Sequence, residues 1–140
     1  MDYYLDDNNA VNRLVEEWRK YGKIIIGYDF DDTVFDFHQK GRTYKNVMNL
    51  LRECKKLGAY FIVFTCCGED EYDKIKNYLN ENKLPYDKIN ENIDFVKFTG
   101  RKVYYNIMLD DRAGLSSAYK VLLKTIKIIK KEKENDTYEN

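Results

Sequence analysis

Apolar residues recur at helical spacing in four stretches of the chain. In the first stretch, the apolar positions from Val11 to Trp18 fall on one face of a helix. The helices are predicted at residues 8–21, 47–57, 72–82 and 116–131. The charged segment that follows, residues 132–140, is predicted to be a disordered tail.

Short apolar runs rich in β-branched and aromatic residues lie between the predicted helices. They predict strands at Ile24–Tyr28, Ala59–Phe64, Tyr86–Ile89 and Tyr104–Leu109. Strands that alternate with helices favour right-handed crossovers. We therefore expect an α/β fold with a three-layer, Rossmann-like, mostly parallel sheet and helices on both faces. A single domain is expected over residues 1–131, with its core at residues 23–115.

Composition limits the partners that this chain can attract. The formal net charge is +0 over 140 residues, so no overall field draws the protein to nucleic acid. No apolar run approaches the ~20 residues that cross a bilayer. The acidic start, Met1–Tyr4, lacks the pattern of a signal peptide. We expect a cytoplasmic protein with no membrane partner and with nucleic acid as a less favoured one.

Three cysteines and one histidine offer little redox or zinc chemistry. Cys54, Cys66 and Cys67 are odd in number and irregular in spacing, which argues against a disulfide framework. The single histidine, His38, cannot complete a typical zinc site with them.

Polar residues follow the predicted strands where each strand ends. Asp29–Thr33 follows the first strand, Thr65 the second and Asp110-Asp111 the last. The carboxyl ends of parallel strands share one edge, where ligands bind in such folds. Carboxylates gathered there repel one another unless a cation lies between them. Oxygen ligands of this kind favour Mg²⁺ as the cofactor.

A calcium loop and a solvated acidic turn are the alternatives to a magnesium site at Asp29. A calcium loop starting there would need Gly and Glu at its sixth and twelfth positions, which are Val34 and Lys40. An acidic turn accounts for Asp29-Phe30-Asp31 alone as well as a site does. The ordered set at three strand ends favours a site.

These residues resemble the motifs of the haloacid dehalogenase superfamily of phosphohydrolases. The four motifs appear in order as Asp29–Thr33, Thr65, Lys102 and Asp110-Asp111, and the resemblance covers about residues 23–115. The ending Asp110-Asp111-Arg112 is most similar to the deoxyribonucleotidase-like branch and its small phage-encoded relatives. The chain departs from related small members in having Cys66-Cys67-Gly68 where an arginine often follows the second motif.

The resemblance implies a phosphatase with four catalytic residues. Asp29 would form an aspartyl-phosphate, and Asp31 would act as acid and then as base. Thr65 would bind a phosphoryl oxygen. Lys102 would offset the charge on the phosphoryl group, with Lys97 and Arg101 as alternatives for that cation.

The resemblance also implies the ligands of Mg²⁺. Asp29, the backbone carbonyl of Asp31, and Asp110 would hold the ion directly. Asp111 would act through a water molecule or as a neighbour of the ligands.

Short intervals around the motifs leave no room for a separate cap domain. Residues 33–59 and 66–101 each hold one helix and little else. The substrate contacts are assigned to Thr65, Cys66, Lys102 and Phe37. The favoured function is hydrolysis of a small phosphorylated substrate, a nucleotide 5′-phosphate. The alternatives are phosphatase action on nucleic-acid ends and a metal-binding interaction module without turnover; the oligomeric state is left open.

Overall fold

Four parallel strands form one sheet in the order β3-β2-β1-β4. The computed structural model describes the backbone of residues 1–139 and the side chains of residues 1–136. The strands are β1 (Ile25–Asp29), β2 (Tyr60–Phe64), β3 (Lys88–Ile89) and β4 (Ile107–Leu109). The helices are α1 (Asp7–Tyr21), α2 (Lys45–Lys56), α3 (Tyr72–Glu81) and α4 (Leu115–Glu139), with 3-10 turns at Tyr3–Leu5 and Glu69–Glu71. The predicted α/β fold with a parallel sheet and no separate cap is confirmed.

One face of the sheet carries the main core. In a strand, alternate side chains point to the same face. Ile26 and Tyr28 of β1 therefore join Phe61 and Val63 of β2 in a cluster that includes buried residues from all four helices. The phenol of Tyr28 is buried and donates a hydrogen bond to the backbone carbonyl of Pro85 at 2.7 Å. Burial on this face ties each helix to the sheet that contains β1, the strand that ends at Asp29.

The other face is covered by the irregular segment 91–105. Ile25 and Ile62 pack there against Ile93 and against partly buried residues of the same segment. Within the described residues, no helix contributes to this second cluster. The irregular segment takes the place of the helices expected on that face.

Gly27 lies at the centre of the second face, where neighbouring side chains cross over it. A Cβ atom at this position would lie 2.8 Å from Cε2 of Phe64 and 2.9 Å from Sδ of Met108. Both distances are shorter than van der Waals contact, so a side chain at this strand position would force Phe64 and Met108 to shift.

The edge strands are shorter than the sequence pattern predicts. Asn106 lies within the last predicted strand, but it bonds the start of β1 in two ways. Its backbone N–H donates to the carbonyl of Ile25 at 2.8 Å, and its side-chain Oδ1 accepts from the N–H of Ile25 at 2.6 Å. The side-chain bond replaces the backbone ladder, so regular pairing begins only at Ile107.

The last helix continues past its predicted end at residue 131. Residues 132–139, predicted as a disordered tail, are the final turns of α4, while Asn140 lies outside the described residues. Glu132 pairs with Arg19 of α1, and Nζ of Lys133 donates to the carbonyl of Leu57 at 2.6 Å. Lys and Glu also have high helix propensity. None of the helices in the described part of the chain combines the length and hydropathy of a membrane span.

Candidate active site

The chain turns sharply after Asp29 because an aromatic cluster holds the next residues. Phe30 is buried, and its ring stacks on Phe35 at 5.0 Å and meets Tyr78 edge to face at 5.5 Å. The carbonyl of Phe30 accepts hydrogen bonds from the N–H groups of Val34 and Phe35. This turn keeps Asp29 at the carboxyl edge of the sheet.

Three carboxylates converge at that edge. One oxygen from each of Asp29, Asp110 and Asp111 lies within 4.8 Å of the other two. Asp29 ends β1, and the pair Asp110-Asp111 follows β4, its neighbour in the sheet. The convergence expected from the strand ends is therefore present for these three residues.

The electrostatics of this cluster suit a bound cation. Burial, followed by the charges of Asp110, Asp111 and Asp31, raises the pKa of Asp29 to about 7. The ionised form of such a carboxylate is strongly stabilised when a positive charge enters the cluster. The donor set is all oxygen, which fits a hard divalent ion such as Mg²⁺.

The buried Thr33 links the turn after β1 to the pair of acids after β4. Its side chain is 0% exposed, and its hydroxyl accepts from the N–H of Asp111 at 3.1 Å and donates to Oδ1 of Asp111 at 3.3 Å. The sequence pattern assigns no role to this residue. Its place in the first motif is the one signal that points to it.

Asp31 lies apart from the three-carboxylate cluster. Burial, and then the charges of Asp32 and Asp111, raise the pKa of Asp31, while His38 lowers it. His38 itself is held by Asp32, with its Nδ1 3.0 Å from Oδ2 of that residue. A carboxyl group with a raised pKa holds its proton more tightly than an ordinary aspartate, and outside the cluster it can exchange that proton with a substrate.

Thr65 follows β2 and is held by an asparagine that the sequence pattern does not single out. The side chain of Asn90 accepts from the N–H of Thr65 at 2.9 Å and donates to its carbonyl at 2.8 Å. Asn90 has a φ of +57° and also donates to the phenol of Tyr72 at 3.2 Å. The Thr65 hydroxyl accepts from the N–H of Cys67 at 3.1 Å. No sequence signal separates Asn90 from the other asparagines.

The predicted cation and the substrate contacts lie on exposed surface. Lys102 forms no ion pair or hydrogen bond with any residue that the structure describes, and Cys66 is exposed. Phe37 is 55% exposed, and its ring lies edge to face with His38 at 5.0 Å. Lys97, the alternative to Lys102, lines a cavity with Ile24 and Ile25 at the amino end of β1. That edge is opposite to Asp29, so Lys97 is poorly placed for the predicted role.

A cavity of about 560 Å³ adjoins the acidic turn. Asp32 and Thr33 form one wall, and the first residues of α2 and α4 form the others. Its lining includes two tyrosines and two lysines, which are Tyr44, Tyr119, Lys45 and Lys120. Its volume lies within the range of small-molecule sites.

Comparison with known proteins supports the fold alone. No family model matches the chain, and no curated protein matches it significantly. A solved structure of a conserved protein from Bacteroides thetaiotaomicron superposes with a TM-score of 0.59 at 15% sequence identity. The match covers 73% of this chain and 91% of the other. At this level of identity, the similarity concerns architecture and carries no functional assignment.

Proposed function

We propose that this protein is a Mg²⁺-dependent phosphomonoester hydrolase that acts through an aspartyl-phosphate on Asp29. The observation that carries the proposal is the convergence of Asp29, Asp110 and Asp111, with Asp31 outside their cluster. Three carboxylates crowded together suit a metal, and a fourth whose pKa is raised suits a general acid. The similarity to the motifs of haloacid dehalogenase phosphohydrolases supports the same assignment.

The chemistry proceeds in two transfers. An oxygen of Asp29 attacks phosphorus, forming an O–P bond as the bond to the leaving oxygen breaks. Asp31 gives its proton to that leaving oxygen. It then takes a proton from the water molecule that attacks the aspartyl-phosphate, which releases phosphate and restores Asp29.

The metal would be held by the carboxylates of Asp29 and Asp110, with Asp111 beside them. A divalent ion bound there supplies positive charge that offsets repulsion between the nucleophile and the phosphoryl oxygens. Thr33 contributes by holding Asp111 through its two hydrogen bonds. Thr65 would donate its hydroxyl to a phosphoryl oxygen, and Lys102 would approach the same group when substrate binds.

The favoured substrate is a nucleotide. The cavity beside the acidic turn offers the rings of Tyr44 and Tyr119 to a nucleobase. Lys45 and Lys120 line the same cavity and suit an anionic ligand. No separate cap domain closes over the carboxyl edge of the sheet. The bound substrate itself would therefore shield the acidic residues from solvent.

The test is turnover of a panel of phosphate esters with and without Mg²⁺. The panel holds nucleoside monophosphates, sugar phosphates and oligonucleotides phosphorylated at either end. Asp29→Asn and Asp31→Asn should each reduce turnover at least about a thousandfold. Asp73→Asn, which changes an exposed carboxylate on α3, is the matched control and should retain activity. Absence of turnover on every ester, or full activity in Asp29→Asn, would overturn the proposal.

A further inference from the structure

An aromatic cavity lies at the edge of the sheet opposite to Asp29. It has a volume of about 490 Å³ and opens between the amino end of β1 and the irregular segment 91–105. Three of its rings are exposed: Tyr21 by 60%, Phe95 by 38% and Phe98 by 65%. Exposed aromatic rings gathered around one cavity mark a candidate binding surface, because large contiguous apolar patches are rare on soluble proteins.

Basic side chains surround these rings without carboxylate partners. Lys23 and Lys97 line the cavity, and Lys20 lies over its Tyr21 ring. Within residues 1–136, none of these three forms an ion pair. Two of them lie over rings instead. Nζ of Lys23 is 4.0 Å from the centre of the Phe95 ring, and Nζ of Lys20 is 5.2 Å from that of Tyr21.

The neighbouring carboxylates already have partners. Glu17 pairs with Arg13 at 3.5 Å and accepts from Nδ2 of Asn106 at 2.6 Å. Asp94 pairs with Lys88 at 2.9 Å. The surface around the cavity is therefore locally basic, although the whole chain has a formal net charge of +0.

We propose that this surface binds single-stranded nucleic acid. The exposed rings would stack on bases, and the lysines would contact the phosphates between them. Each half of this chemistry is present: the rings of Tyr21 and Phe98 are exposed, and the three lysines form no ion pair within residues 1–136. The proposal rests on this surface alone and extends beyond hydrolysis of a small ester.

A nucleic-acid duplex and a second copy of the chain fit the surface less well. A duplex hides the faces of its bases, so it would leave the exposed rings without a stacking partner. A second copy of the chain would bring two basic surfaces together, and like charges at an interface are unfavourable. The lysines along α4 offer charge, but the described side chains of that helix include no exposed aromatic ring.

The experiment is fluorescence anisotropy with a labelled, unphosphorylated single-stranded decanucleotide, titrated with the full chain at several salt concentrations. Phe98→Ala should raise Kd about 5- to 150-fold, because a stacked base contributes about 1–3 kcal/mol. Lys97→Ala should weaken binding and reduce the salt slope by about 0.7, the value for one phosphate contact on a single strand. Both side chains are exposed, so circular dichroism should show an unchanged fold.

The control variants separate this surface from the others. Lys124→Ala on α4 should leave Kd unchanged, and so should Asp29→Asn, because the probe carries no terminal phosphate. Failure of the phosphatase proposal would appear as absent turnover and would not alter these titrations. Three results would overturn the binding proposal: no binding, equal affinity for duplex and single strand, or wild-type affinity in Phe98→Ala. Self-association in sedimentation that Phe98→Ala abolishes would instead identify a second copy as the occupant.

Discussion

The hydroxyl of Thr33 bonds both the backbone and the carboxylate of Asp111, a residue 78 positions further along the chain. This contact joins the turn after β1 to the turn after β4. Through it, the residue that follows Asp29 by four positions sets the orientation of an acid in the opposite turn. A buried hydroxyl thus connects the two halves of the candidate metal site.

Replacing Thr33 with valine should weaken metal binding. Valine keeps the shape of the side chain but removes the donor to Oδ1 and the acceptor for the N–H of Asp111. Loss of an interaction that orients a ligand raises the Kd of a metal by about 10–100-fold. Isothermal titration with Mg²⁺ measures this change. Thr33→Ser retains the hydroxyl and should bind within a few-fold of the parent; equal Kd values for the two variants would contradict the role of the hydroxyl.

The raised pKa of Asp29 should make the metal-free protein less stable as pH rises. The folded state holds this proton until a pKa of about 7, whereas the ordinary pKa is 3.8, so the folded state binds more protons between these values. The contribution of this proton to the free energy of unfolding is fully present below about pH 4 and is lost as pH rises to about 7. After allowance for solvent screening, we expect a loss of about 1–2 kcal/mol.

Urea unfolding with a chelator at a series of pH values measures this dependence. Asp29→Asn removes the titrating group, so the difference in unfolding free energy between the parent and the variant should change steadily with pH. Saturating Mg²⁺ should reduce that change. Parallel curves for the two proteins between pH 4 and 7 would show that Asp29 does not titrate in this range.

Asn90 should be needed both for stability and for the position of Thr65. Asn90→Gly tolerates the φ of +57° but loses the bonds to Thr65, at a cost of about 1–3 kcal/mol. Asn90→Ala loses the same bonds and adds about 1–2 kcal/mol for a left-handed conformation. Thermal and urea unfolding should therefore rank the parent above the glycine variant and the glycine variant above the alanine variant. An alanine variant as stable as the glycine variant would contradict the backbone argument.

Gly27→Ala should destabilise the sheet. The added methyl group would meet Phe64 and Met108 at less than 3.0 Å, and overpacking of this kind costs about 1–3 kcal/mol. Gly100→Ala is the matched control, because a Cβ there meets no atom within 4 Å. Urea unfolding of both variants separates crowding from the general effect of replacing glycine. A neutral Gly27→Ala would mean that the two side chains move aside freely.

The strand ends were predictable because each combines an apolar run with a sudden polar residue. Asp29 and Thr65 each follow such a run directly, and parallel topology then brings them to one edge. The contact between Thr33 and Asp111 was not predictable in this way. It depends on the register of β1 against β4, which a pattern along one strand does not encode.

The hydrophobic pattern also did not predict which face of the sheet each helix covers. Periodicity shows that a helix has an apolar face, but not on which side of the sheet that face packs. Segment 91–105 mixes aromatic and charged residues without a regular period, so its role as a cover for Ile25 and Ile62 was hidden. The extension of α4 was hidden for another reason: Glu132 is stabilised by Arg19, which lies 113 positions away.

The central strands and the irregular segment 91–105 that covers the second face differ in local stability. Backbone groups in β1 and β2 are locked into the ladder, whereas most of segment 91–105 is held by side-chain packing. Amide protons in that segment should exchange with solvent before those of the central strands. Substitutions or insertions could therefore remodel this surface over evolution while the strands that position Asp29 remain intact.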